Sequence, residues 1–100
     1  MTRRLSTDLG DPTARPYFVW DEEITYGQLA KKLRSPDADE RALWVARVLR
    51  EARYQDVWKL VRLPDVLAIW PRIDRHLGRT REFWRWLIEG WRADGLIPRP

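Results

Sequence analysis

The sequence has no cysteine, a single histidine (His76) and one methionine among its 100 residues. Without cysteine there is no disulfide, no thiol nucleophile and no zinc ribbon. With one histidine, the Cys–His nucleophile pair and zinc sites with the usual ligands are excluded as well. The five glycines are scattered and form no phosphate-binding loop. We therefore expect a protein without enzyme activity, without a metal and without a cofactor.

Long apolar runs and strand patterns are also missing. The longest apolar runs, Ala42–Ala46 and Val66–Trp70, have five residues each, whereas a membrane span needs about 20. The basic start Met1–Arg4 is followed by no apolar stretch, so we expect no signal peptide and a cytoplasmic protein. There is no sustained period-2 alternation. With 44% hydrophobic residues, the chain is expected to form one small all-α domain.

The chain contains a series of helix signals instead. Residues 1–15, rich in turn-forming and polar side chains, predict a flexible arm ahead of a helical domain over 16–97. The apolar run Tyr17–Trp20 predicts a short extended segment, packed on the domain or on a partner. Apolar spacing and caps, among them a Thr25–Gln28 capping box, predict five helices. Their expected ranges are about 26–34, 38–53, 55–61, 64–70 and 80–94, the last with a Schellman end at Gly95.

Positive charge is concentrated in the second part of the chain. Residues 41–100 hold thirteen basic and seven acidic side chains, and 16 of the 19 basic residues of the chain are arginine. The cluster at 72–81 has the chemistry of phosphate contacts. However, no helix-turn-helix pattern is present, and aromatic residues occupy the start of the fifth helix, where base contacts would be made. We expect at most weak, non-specific nucleic-acid binding and keep a small helical DNA- or RNA-binding module as the alternative function.

Seven tryptophans are the strongest feature of the composition. A core of this size cannot easily enclose them all, and tryptophan is enriched at protein interfaces. Trp84 and Trp86 point about 200° apart on a helix, so both cannot face one core. Either an exposed Trp–Arg surface binds another protein, or the tryptophans fill a small core and its rim. Under the first interpretation the partner-binding residues are Tyr17, Phe18, Trp20, Arg79, Arg81, Arg85 and Trp86.

Four stretches carry a family resemblance when they are taken in order: Pro16–Asp21, Val48–Trp58, Leu63–Pro71 and Phe83–Leu87. Together they resemble a family of short uncharacterised bacterial helical proteins that are often found beside nucleotidyltransferase-like toxins of the abortive-infection AbiEii type. The resemblance covers about residues 16–91. It implies a toxin–antitoxin setting in which this chain is the small partner, and it carries over no catalytic residue. The strands of the winged helix found in AbiE antitoxins are missing.

These observations favour a non-enzymatic interaction protein, an antitoxin-like partner that binds and restrains a toxin. In this hypothesis the segment Tyr17–Trp20 and the surface of the fifth helix dock on the enzyme. Arg79, Arg81 and Arg85 would then pair with acidic groups near its nucleotide or metal site. A homo-oligomer with a structural role is the third hypothesis.

Overall fold

The computed structural model describes residues 4–98, and the all-α expectation is confirmed for them. A two-residue parallel strand pair, β1 (Leu5–Ser6) with β2 (Arg15–Pro16), comes first. No helix in the described part of the chain is both long enough and apolar enough to cross a bilayer. The described residues form six α-helices, with one 3₁₀ turn at Gly78–Thr80: α1 Tyr26–Leu33, α2 Ala38–Glu51, α3 Tyr54–Leu60, α4 Leu63–Ala68, α5 Trp70–Asp74 and α6 Arg81–Ala93.

Local side-chain and glycine signals set the start of α1 and the end of α6 as the sequence predicts. The Thr25 hydroxyl accepts the Gln28 N–H at 3.1 Å, and the Gln28 side-chain carbonyl accepts the Thr25 N–H at 2.8 Å. These are the two bonds of a capping box. After α6, the Leu96 N–H donates to the Trp91 carbonyl at 2.9 Å, and Gly95 has a φ of +74°. The predicted Schellman end is thereby confirmed.

The helix count exceeds the expected five because of Pro71. The sequence predicts that Pro71 kinks or ends the fourth helix, with at most one further turn over Ile73–Leu77. In the structure α4 ends earlier, at Ala68, and Pro71 lies in the first turn of α5. Proline fits a first turn because the N–H that it lacks would have no carbonyl partner within the helix.

Ser6 attaches the N-terminal segment to the helical domain. The Ser6 carbonyl accepts the Tyr17 N–H at 3.2 Å and the Tyr26 hydroxyl at 2.7 Å. The short β1–β2 pair corrects the expectation of no strand, since two paired residues leave no periodic pattern in a sequence. Residues 1–3 of the predicted arm lie outside the described residues, and the flexibility of the arm stays a prediction.

The core is built around α2, whose apolar stripe is buried on more than one side, as its width predicts. Val45, Val48 and Leu49 of α2 are all buried. They belong to one cluster with buried residues from the rest of the fold, which are Phe18, Val19, Ile24, Tyr26, Leu29, Val57, Val61, Val66, Ile73, Leu77 and Trp84. By contrast, α6 buries only Trp84 and Ile88 among its own residues. It therefore presents most of its surface to solvent.

The two tryptophans at the start of α6 should respond oppositely to truncation. Trp84 is 3% exposed and donates its indole N–H to the Leu49 carbonyl at 3.1 Å, whereas Trp86 is 70% exposed. Trp84→Ala is expected to lower the free energy of unfolding by about 3–5 kcal/mol, and Trp86→Ala by less than about 0.5 kcal/mol. Urea unfolding followed by circular dichroism measures both values. Equal losses in the two variants would contradict the assignment of Trp86 to the surface.

Candidate functional site

Aromatic rings of α3 and α6 form a connected network. The Tyr54 ring stacks on Trp84 with centroids 6.1 Å apart, and it meets the edge of Phe83 at 6.5 Å. Phe83 in turn lies 6.3 Å from the ring of Trp86. Pairs of aromatic rings at these distances attract each other beyond the effect of the area that they bury. The contacts therefore hold the outer rings in place on the fold.

The network has an inner and an outer part. Trp58 is half-buried and lies between two rings of α6, with its centroid 6.0 Å from that of Trp84 and 6.1 Å from that of Trp91. On the outside, Tyr54 and Phe83 are each 47% exposed, next to the more exposed Trp86. We call Tyr54, Phe83 and Trp86 the aromatic surface. Contiguous apolar groups of this kind on a small domain mark binding sites.

Helical spacing explains which rings point outward. Trp84 and Ile88 lie one turn apart and face the core, so Phe83 and Trp86 are directed away from it. The predicted opposition of Trp84 and Trp86 is thus confirmed. Sequence reasoning missed Tyr54 and placed Phe83 at the margin of the inward face. The available signal for Tyr54 was its position four residues before Trp58, which puts both rings on one side of α3.

Trp20 is exposed at a second place on the molecule. Its side chain is 67% exposed, while its carbonyl accepts the Arg15 guanidinium at 3.1 Å. The following residue, Asp21, forms an ion pair with Arg47 of α2. Within residues 4–98, Trp20 makes no ring contact with the aromatic surface. We call Trp20 with the adjacent Asp21–Arg47 pair the Trp20 surface.

Phe18 is corrected from a docking residue to a core residue. Its side chain is only 3% exposed and meets the rings of Tyr17 at 5.1 Å and Tyr26 at 6.5 Å. Phe18 and Val19 both enter the core, whereas the next residue, Trp20, leaves it. A run of apolar residues does not reveal which of its members are turned inward.

Tyr17 connects the N-terminal segment to the start of α3. Its hydroxyl donates to the buried Asp56 carboxylate at 2.7 Å and accepts the Arg53 N–H at 2.8 Å. The Arg53 guanidinium also lies 5.0 Å from the centre of the Tyr17 ring. Burial raises the pKa of Tyr17 above its ordinary value, and the hydrogen bond to Asp56 acts in the same direction. These contacts give Tyr17 a role inside the fold.

Two of the three predicted docking arginines are held by one residue of the same chain, Asp74. Arg85 binds both oxygens of Asp74, at 2.8 and 2.6 Å, and Arg81 donates to the Asp74 carbonyl at 3.1 Å. The bonds from Arg85 keep the pKa of Asp74 below its ordinary value of 3.8. Arg79 is exposed and forms no ion pair with the residues described. Of the three, Arg79 has the charge most available to a partner.

Ion pairs also engage Arg72 of the basic cluster and Arg50 of α2. Arg72 lies 2.6 Å from Asp39, and Arg50 lies 2.9 Å from Glu51. A phosphate-binding surface needs arginines whose charge is free to replace counterions. The internal pairing therefore favours the expectation of weak, non-specific nucleic-acid binding, which stays a prediction.

Comparison with known proteins adds no relative from which a role can be transferred. The chain matches no protein-family model, no curated protein and no solved structure. The features that bear on function are therefore the aromatic surface, the Trp20 surface and the contacts and charges around them.

Removing the Tyr17 hydroxyl should destabilise the fold. In Tyr17→Phe, the buried Asp56 loses its 2.7 Å bond and keeps only the longer ion pair with Lys59, at 3.7 Å. An unsatisfied buried polar group costs about 1–3 kcal/mol, and we expect that loss in the free energy of unfolding. Tyr54→Phe, which removes an exposed hydroxyl, is the matched control and should change stability by less than about 0.5 kcal/mol.

Asp74 should make the protein sensitive to acid. Because its pKa is lowered in the folded state, its contribution to stability is present above pH 3.8 and is lost as the pH falls through the folded pKa. Asp74→Asn should therefore cost about 1 kcal/mol at neutral pH and lose less stability below pH 4 than the parent protein. Thermal unfolding between pH 2 and pH 7 tests this. Glu23→Gln, an exposed acid-to-amide change, should leave the acid sensitivity intact.

Proposed function

We propose that the protein is a non-enzymatic interaction module, an antitoxin-like partner that binds and restrains a nucleotidyltransferase-type toxin. The observation that carries the proposal is the exposure of Trp20 and Trp86, two large apolar side chains on separate parts of the fold. Neither ring is needed to fill the core around α2. Trp86 lies on α6, and the Trp20 carbonyl is held by the Arg15 guanidinium, so both residues have a defined backbone position before binding.

Each exposed ring gains free energy when a partner buries it. Burying one large aromatic side chain is worth roughly 1.5–3 kcal/mol, a gain that an exposed ring leaves unused in the monomer. Tryptophan is also among the residues that contribute most to binding at protein interfaces. Folding of the isolated chain does not explain why these two tryptophans are exposed, whereas burial at an interaction surface does.

The toxin as partner is supported by the sequence resemblance of residues 16–91. In this proposal the toxin docks on the Trp20 surface, where an apolar ring lies beside the Asp21–Arg47 pair. Arg79 supplies the positive charge for acidic groups near the nucleotide or metal site of the toxin. Arg81 and Arg85 do not contact the toxin in this proposal. They attach the start of α6 to Asp74 of α5.

Truncation of Trp20 should separate binding from folding. We expect Trp20→Ala to keep the melting temperature of the parent protein within a few degrees and to weaken binding to an AbiEii-type nucleotidyltransferase by ten- to a hundredfold, since about 1.4 kcal/mol corresponds to tenfold. Titration calorimetry with the purified enzyme measures binding, and nucleotide transfer measures restraint. Gln55→Ala, an exposed polar position, is the control. A parent protein that neither binds nor inhibits such an enzyme would contradict the toxin proposal.

A further inference from the structure

The exposed face of α6 carries large and small residues in a self-complementary order. Phe83 and Trp86 occupy its first half, Gly90 and Ala93 occupy its second half, and all four are exposed. Their spacing of i, i+3, i+7 and i+10 places them on one stripe of the helix. When a second copy of this stripe runs antiparallel, Trp86 lies opposite the partner's Gly90 and Phe83 lies opposite the partner's Ala93.

Gly90 has open space where a side chain would project from the helix, as far as the described residues are concerned. It lies inside α6, where glycine is less favourable than alanine, and a β-carbon added to it would meet nothing within 4 Å. Its backbone therefore faces open space one helical turn from the exposed Trp86. A flat notch at this position lets the ring of a neighbouring helix approach the backbone closely.

Charges along one edge of the same stripe alternate in sign. Glu82, Arg85, Glu89 and Arg92 follow one another at helical spacing. In an antiparallel pair that sets Trp86 against the partner's Gly90, Glu82 lies beside the partner's Arg92. Glu89 lies beside the partner's Arg85, whose guanidinium also binds Asp74 of its own chain. Each attractive contact occurs twice by symmetry. A parallel pair in register would place like charges together, so the charge pattern selects the antiparallel arrangement.

We propose that the protein forms a homodimer through α6, with the two copies antiparallel about a two-fold axis near Ile88. The interface is isologous, because the same stripe serves both copies. The inference rests on the proposed function in that it takes the aromatic surface to be an interface, and it assigns that surface to a second copy. The Trp20 surface then stays available for a heterologous partner.

The available area implies a weak dimer. The three rings of the aromatic surface bury at most about 250 Å² each, and the contacts within the chain already cover part of that area. A standard stable interface needs about 800 Å² from each partner. We therefore expect a dissociation constant of the order of 10 µM.

Sedimentation velocity over a range of concentrations tests the dimer with the full chain. Trp86→Ala removes the anchor, Gly90→Gln fills the notch with a good helix former, and Glu82→Lys/Glu89→Lys turns the four attractive charge pairs into repulsive ones. Each change is expected to weaken dimerisation at least tenfold without lowering the melting temperature. Glu22→Lys/Glu23→Lys, which changes the net charge equally outside α6, and Trp20→Ala should leave dimerisation unchanged.

Cross-linking tests the antiparallel register, and the absence of native cysteine makes it specific. In the proposed pair, residue 89 lies about 3 Å along the axis from its counterpart, whereas residue 82 lies about 18 Å from its counterpart. A short thiol-specific cross-linker should therefore trap Glu89→Cys as a dimer and leave Glu82→Cys monomeric. Trapping both variants equally would indicate a parallel pair and overturn the proposal.

The two proposals fail in distinguishable ways. A chain that is monomeric at every concentration, or that dimerises equally well after the Trp86→Ala, Gly90→Gln and charge changes, overturns the α6 dimer. If Trp20→Ala or Trp86→Ala still reduces binding to the nucleotidyltransferase in that case, the proposed function stands. If the protein forms a dimer that depends on α6 but binds no such enzyme, the α6 dimer is supported and the toxin proposal is overturned.

Discussion

The end of α2 is the point on which the rest of the structure depends. In a longer helix, the Leu49 carbonyl would accept the Arg53 N–H. Here the helix ends at Glu51, and each of these groups takes a side chain from a distant part of the chain instead. The carbonyl accepts the Trp84 indole at 3.1 Å, and the N–H donates to the Tyr17 hydroxyl at 2.8 Å. The bond from Trp84 is buried, and an unpaired carbonyl at that place would be costly. Together the two bonds attach α6 and the N-terminal segment to the end of α2.

The indole of Trp84 also determines which face of α6 remains free. With Trp84 anchored at α2 and Ile88 one turn further on, helical geometry directs Phe83, Trp86 and Gly90 away from the core. The bidentate contact from Arg85 to Asp74 adds a second attachment, on α5. The exposure of the aromatic surface thus follows from what holds the helix in place.

Local signals made much of the fold predictable, and long-range pairs account for what was missed. The capping box at Thr25, the Schellman end at Gly95 and the opposition of Trp84 and Trp86 each depend on residues within a few positions of one another. By contrast, Tyr17 meets Asp56 across 39 positions, and Arg85 meets Asp74 across 11. Nothing in the local pattern shows which carboxylate an arginine will choose. The burial of Phe18 was missed for a related reason, since an unbroken apolar run does not specify its inward side.

Many of the arginines form contacts within the fold, which the net charge of +4 does not reveal. The guanidinium groups of Arg47, Arg72 and Arg85 each bind a carboxylate from another part of the chain. The Arg50 guanidinium donates to the His76 carbonyl at 2.7 Å. Such contacts join loops and short helices that bury little apolar surface of their own. The basic residues therefore stabilise the fold before they meet any partner.

Exposed tryptophan and an interior helical glycine have the same implication when they occur on one face. A monomer gains nothing from leaving the Trp86 ring in water, and Gly90 costs its helix about 1 kcal/mol relative to alanine. The total stability of a domain is of the order of 5–15 kcal/mol, so both costs are large for a single surface. Both become favourable when another helix covers that face, because the ring is then buried and the glycine permits its close approach. Features that are unfavourable for the isolated chain and favourable for an assembly are the physical signature of an interface, and in this fold they coincide on α6.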